Sequence, residues 1–264
     1  MLRITAIICA RNDATYLEEV LTYLHSEKIN VAFIDHGSTD RTQELVQERR
    51  TENVISVTHL PYEGFFSLSA QLDLKLRISA ATQSDWIIHQ DADEILCSRH
   101  GWGGLRDVIE RANSEGFTAI NFDELVMLPA DPLLDDFLSN NRRCYFFAPH
   151  PTQKRLMRAW RHTAHFSNIA SGGHSLEGAG VELYPENQLL KHFIVRSQQH
   201  AYEKYLGRAF AAEDRARGWH GNRVNLSREN LTLPGTAPEL RELTSVRQAP
   251  DPMPVRQSRH YWDW

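Results

Sequence analysis

Cysteine is scarce in this sequence. Its three cysteines, Cys9, Cys97 and Cys144, stand far apart and form no C-x-x-C pair. That argues against a structural zinc site or a disulfide framework, and for a reducing compartment. Long apolar runs are missing as well. The opening MLRITAIICARND holds a short apolar stretch before charges resume, too little for a signal peptide or a membrane span. A cytoplasmic protein without a transmembrane segment is expected. There is no basic excess: Lys+Arg 29 against Asp+Glu 34 leaves a formal net charge of -5, so no nucleic-acid partner is expected. No internal repeat is found.

What is present is an alternation of apolar runs and amphipathic stretches. With 264 residues, 41% hydrophobic and 24% charged, the chain can build one large α/β domain. The patterns predict strands over 4–9, 30–34, 54–60, 85–91 and 117–122. Between them lie helical patterns over 15–25, 38–50, 65–81 and 104–116, the last stopped by Gly116. Strands alternating with helices predict a Rossmann-like, mostly parallel sheet covered on both faces. After about residue 128 the rhythm is lost. A short strand over 189–195 and a helix over 197–217 follow, and the C-terminal part is irregular and α-rich. The organisation expected is 1–128, then 129–233 as a second part of the same domain, then a Pro-rich arm over 234–264.

Polar motifs close three of the apolar runs: Arg11-Asn12-Asp13 after the first, Asp35-His36-Gly37-Ser38 after the second, and Asp91-Ala92-Asp93-Glu94 after the fourth. In open α/β sheets ligands bind beyond such strand ends. If residues 90–93 stay extended, Asp91 and Asp93 point to one side and offer hard oxygens to Mg²⁺ or Mn²⁺. The alternative is a solvated acidic turn capping a following helix; the position behind Trp86-Ile87-Ile88 favours the cation. Asp35 abuts the apolar run Val31-Ala32-Phe33-Ile34 and can accept hydrogen bonds from a nucleoside. Gly37 permits a tight turn, and Ser38, Thr39 and Asp40 cap a helix.

Taken in order, IICARNDATYLEEVL, FIDHGSTDRTQEL and DWIIHQDADEIL resemble the nucleotide-sugar half of family 2 glycosyltransferases, of the GT-A fold, over about residues 1–125. The resemblance implies that Asp35 contacts the base or ribose of a nucleotide diphosphate sugar, UDP- or GDP-linked. It places Arg11, Asn12, Asp13, Gly37 and Ser38 in the nucleotide pocket. Asp91 and Asp93 would hold Mn²⁺ or Mg²⁺ on the diphosphate. Two departures are Asp13, where the family has Glu, and His36, where it has Asp or Asn. The stretch SGGHSLEG looks like the late histidine that completes the metal shell, here His174, with His162, His165, His192 and His200 as rival candidates. KHFIVRSQQHAYEKYLGRA is similar to the smaller bacterial members, which implies His192, Arg196, Ser197 and Lys204 at the diphosphate or metal end. Lys154 and Arg155 are either phosphate contacts or a basic surface loop.

The implied reaction is sugar transfer to an acceptor hydroxyl, with inversion by single displacement, and it needs a carboxylate base near that hydroxyl. Asp123 and Glu124, at the end of the fifth strand, are the first candidates, and Glu177 is the next. The acceptor is expected to be a glycan, a lipid-linked molecule or another hydroxyl compound. The aromatic tail over 261–264 either makes a peripheral membrane contact or packs against the domain. Two rival readings stand beside the transferase. One is a non-catalytic sugar-nucleotide or glycan-binding module. The other is a nucleotidyltransferase, against which CARNDATY lacks a glycine-rich phosphate loop.

Overall fold

The computed structural model of the chain describes all residues but 137, 139, 140, 150–155, 164 and 236, and the backbone alone of 222. The run of β-branched and apolar residues forms β1 (Ile4–Ala10), buried along its whole length. Helix α1 (Ala14–Ser26) buries Leu17, Val20, Leu21 and Leu24 at helical spacing in the same core. Next come β2 (Asn30–Asp35), α2 (Thr42–Glu48), β3 (Val54–His59), α3 (Leu68–Ala81) and β4 (Trp86–Asp91). Ser67 caps α3 by accepting the Ala70 N–H at 3.2 Å. Strand β1 pairs in parallel with β4 on one side and β2 on the other, and β2 pairs with β3. These four are the parallel half of the sheet. β1 and β4 bury apolar residues on both faces, as strands flanked by two helical layers must.

The second half adds β5 (Glu94–Cys97), α4 (Leu105–Ser114), β6 (Ala119–Pro129), β7 (Cys144–Pro149), β8 (Met157–Arg161) and β9 (Gln188–His192). Helices α5 (Gln198–Tyr205) and α6 (Ala212–Ala216) and the short strands β10 (Arg241–Leu243) and β11 (Arg256–Gln257) complete it. The sheet runs β10-β7-β6-β8-β4-β1-β2-β3, with β8 antiparallel between β4 and β6. Strand β9 lies parallel to β6 and antiparallel to β5, so His192 faces Glu94 in register.

One alternative falls here and two expectations change. The carboxylate cluster is followed by a strand and not by a helix, because Glu94–Cys97 is buried at all four positions and pairs with β9. The helix predicted over 197–217 is two helices, parted near Gly207 at φ 68. The irregular middle contains β7 and β8. The aromatic tail packs: Tyr261 and Trp262 are buried with Val126, Phe147, Ala201 and Tyr205 in a second core, and β11 pairs with β7. Among the described residues, no helix is long and apolar enough to cross a membrane.

Candidate functional site

Strand order reverses at β1, which has β4 on one side and β2 on the other. The crevice beyond the carboxyl ends of these strands is where an α/β sheet binds its ligand. The loops after β1 and β2 clasp each other there. Asn12 adopts φ 57, its N–H donates to Ser38 Oγ at 3.1 Å, and its Oδ1 accepts the Thr39 N–H at 2.7 Å. Buried Asp35 is pinned on both oxygens: Ser38 N–H at 3.2 Å, Gln43 Nε2 at 2.8 Å and His59 Nδ1 at 3.3 Å. Gly37 turns at φ +64 directly under Tyr62. The Arg11 guanidinium lies 3.7 Å from the Tyr62 ring centre, and its Nε is buried without a partner. His36 is buried beside Gln71 Nε2 at 3.2 Å.

At the end of β4 the chain turns at Ala92-Asp93, so Asp91 closes the strand and Asp93 is presented by the turn after it. Each meets a different cation. Asp91 Oδ1 is 3.1 Å from Lys75 Nζ on α3, and its Oδ2 is 3.6 Å from Arg158 on β8. Glu94 receives Arg158 at 2.8 Å and also accepts the Asp91 N–H. Asp93 Oδ2 is 2.6 Å from Lys204 Nζ on α5 and 3.5 Å from His192 Nε2. The other ring nitrogen of His192 is 2.7 Å from Glu124. Asp93, His192 and Glu124 therefore form a chain of contacts across the site, with Lys204 closing one end.

Burial opposes the charge on Asp93, but Lys204 and then His192 outweigh it and hold the carboxyl well below the usual carboxylate range. Burial likewise opposes ionisation of Asp91, which Lys75 and Arg158 bring down to about 2. For His192, burial disfavours the imidazolium, yet Asp93 and Glu124 push its pKa well above the ordinary histidine value. Asp13 lies in the same field; burial pushes its carboxyl up to about 6, against Lys204. Burial also pushes Glu94 up to about 6, against Arg158, so the carboxyls whose partners lower their pKa are Asp91, Asp93 and Glu124.

Carboxylate oxygens are the hard donors that Mg²⁺ or Mn²⁺ selects. Among the described residues, no three His, Cys, Asp or Glu side chains converge on one point. The chain therefore offers a cation a pair of aspartates, and the rest of the shell would come from water and phosphate oxygens, as Mg²⁺ commonly takes it. The donor set fits a cation that arrives with a phosphate ligand.

The remaining predicted residues are distributed unevenly. Glu124 is in the cluster; Asp123, its neighbour on β6, points to the other face of the strand, as alternation requires. There Asp123 is bound by Arg99 at 3.0 Å, by Asn187 at 3.1 Å and by Arg256 of β11. Glu177 is exposed, and its backbone pairs with Ser167. His174 Nδ1 lies 3.1 Å from the Ser171 carbonyl, and burial, then Arg158, lowers its pKa. Arg196 donates to Asp135 at 2.7 Å and stands over the Tyr16 ring. Lys154 and Arg155 lie outside the described residues. Sequence reasoning missed Lys75 and Arg158. Lys75 carried a signal: three residues after Leu72 and four before Ser79, it occupies the buried stripe of α3, a costly position for a cation with no partner.

Residues 5–119 match the model of the Glycosyl transferase family 2. No curated protein sequence matches the chain. Among solved structures, residues 1–349 of S. aureus TarS are similar at 12% identity and a TM-score of 0.43, over 76% of this chain and 63% of that one. Glucosyl-3-phosphoglycerate synthase from Mycobacterium tuberculosis, in complex with Mn²⁺, UDP and phosphoglyceric acid, is similar at 18% identity and a TM-score of 0.32. That match covers 47% of this chain and 43% of the synthase. The chain spans less than two thirds of the length of each of these proteins.

Proposed function

We propose, starting from the match of residues 5–119 to the model of the Glycosyl transferase family 2, that the protein moves a sugar from a nucleoside diphosphate sugar to an acceptor hydroxyl, metal-dependently and with inversion. One observation carries the reading: Asp91, Asp93 and Glu124 each stand against a cationic side chain, Lys75, Lys204 and His192, at the strand ends where Asp35 is pinned. In this reading Asp35, Asn12 and the Arg11–Tyr62 pair hold the nucleoside. A divalent cation on Asp91 and Asp93 would serve as Lewis acid to the leaving diphosphate.

The chain's own groups supply the rest. Lys75, Arg158 and Lys204 surround the aspartates and offset charge as the bond from the anomeric carbon to the diphosphate oxygen breaks. Glu124 takes the acceptor's proton as the acceptor oxygen bonds to that carbon. His192 keeps Glu124 ionised and turned toward the crevice; burial alone would favour the neutral acid, and the His192 contact lowers the Glu124 pKa instead. At 22% side-chain exposure, Glu124 is reachable from solvent, whereas Asp123 is occupied by Arg99, Asn187 and Arg256.

Calorimetric titration of UDP and of GDP, with Mn²⁺ and with EDTA, tests the donor half. Metal-dependent binding of one nucleotide supports it, and binding of neither to folded protein overturns it. For the base, Glu124→Gln should keep donor binding and lose transfer by about 100- to 10,000-fold. Unchanged turnover in that variant would move the base elsewhere.

A further inference from the structure

Four carboxylates of the cluster each have a cation beside them: Lys75 with Asp91, Arg158 with Glu94, Lys204 with Asp93, His192 with Glu124. The chain's own cations offset these four charges. The tightest of these contacts at the aspartates is Lys204 Nζ on Asp93 Oδ2 at 2.6 Å, against 3.1 Å for Lys75 on Asp91. Lys204 is held at that spot by a second bond, to the Ile194 carbonyl at 2.9 Å. A lysine ammonium has three N–H donors, so one remains for a further acceptor.

We infer that Lys204 is an internal counter-ion that guards Asp93, and that it makes metal and diphosphate enter the site together. A divalent cation coming alone to either Asp93 oxygen would stand beside the Lys204 ammonium, and like charges at that range repel strongly in a partly buried site. A diphosphate alone would face Asp91 and Asp93. When both arrive, phosphate oxygens accept the free N–H of Lys204 and draw its charge from the carboxylate, which is released to the cation. Lys204 is thus a positioning residue for the metal. The inference rests on the donor reading above and adds to it a coupling that a lone aspartate pair would not impose. By linkage the coupling is reciprocal: nucleotide must tighten the cation by the factor by which the cation tightens nucleotide.

The test is Mn²⁺ binding, read by electron paramagnetic resonance of the free ion, without and with saturating UDP or GDP. It is run on wild type, Lys204→Met and Lys204→Arg. Mn²⁺ associates with nucleotide in solution equally for all three proteins, so differences between them report the site. Wild type should bind Mn²⁺ weakly alone and at least about 10-fold more tightly with nucleotide. Lys204→Met should bind Mn²⁺ alone more tightly than wild type and lose most of the coupling, while Lys204→Arg, which keeps the charge, should retain it. Equal coupling in wild type and Lys204→Met overturns the inference and leaves the donor reading standing. Equal Mn²⁺ affinity in wild type with and without nucleotide overturns it whether or not the Met variant folds. If wild type binds neither nucleotide with Mn²⁺, both readings fall.

Discussion

Replacing Asp93 by Asn isolates the charge at the centre of the site, because shape is nearly unchanged. The side chains of Asp93, Lys204 and His192 are 14%, 16% and 16% exposed. Removing one member of a buried ion pair typically costs about 3–5 kcal/mol, because the partner charge is left uncompensated. Here the loss is smaller. Lys204 retains the Ile194 carbonyl, His192 retains Glu124, and both have some access to water. About 2–3 kcal/mol is expected after that discount. At roughly 2–4 °C per kcal/mol for a chain of this size, Tm should fall by about 4–12 °C. Scanning calorimetry of wild type and variant measures this directly. A double-mutant cycle with Lys204→Met separates the pair from its surroundings and should return a coupling of about 1–3 kcal/mol. A Tm shift below about 2 °C together with a coupling under about 0.5 kcal/mol would refute the pairing, and the internal counter-ion with it.

Three further outcomes follow from the geometry. Gly37→Ala puts a Cβ 2.8 Å from Tyr62 Cβ at φ +64, and should destabilise by about 1–3 kcal/mol and weaken nucleotide binding; an unperturbed urea midpoint would contradict the turn. Asp123→Asn loosens the hold of Arg99 and Arg256, so limited proteolysis should cut the arm after residue 243 sooner than in wild type. Because Asp123 faces away from the crevice, donor affinity should not change. His192 has its folded pKa raised above 6.5, so its contribution is fully present below the unfolded value and disappears as pH rises through the folded one. Urea unfolding of wild type and His192→Asn should therefore give stabilities that converge as pH is raised above about 6.5, and a gap that widens with pH would reverse the sign of the argument.

The local pieces of this protein were legible in its residues. An apolar run that must be buried ends where a charge begins, so the ends of β1, β2 and β4 could be read at Arg11, Asp35 and Asp91. Those three ends meet because right-handed crossovers stack parallel strands in few ways. Gly37 and the Ser38–Asp40 cap encode a turn whose chemistry is local. Four-residue apolar runs carry no such signal: EILC has no resolvable period, and it is a strand because β9, nearly a hundred residues on, supplies its hydrogen bonds.

What only the tertiary structure decided is who neutralises whom. Asp93 and Lys204 are 111 positions apart, and nothing in either neighbourhood names the other. Alternation along β6 predicts that Asp123 and Glu124 face opposite ways, but which face is the crevice depends on where β9 and the C-terminal arm come to rest. Periodicity acts over a few residues and is written into the chain. Electrostatic pairing acts through space, and the partners of a buried carboxylate exist only once the sheet has brought distant strand ends together.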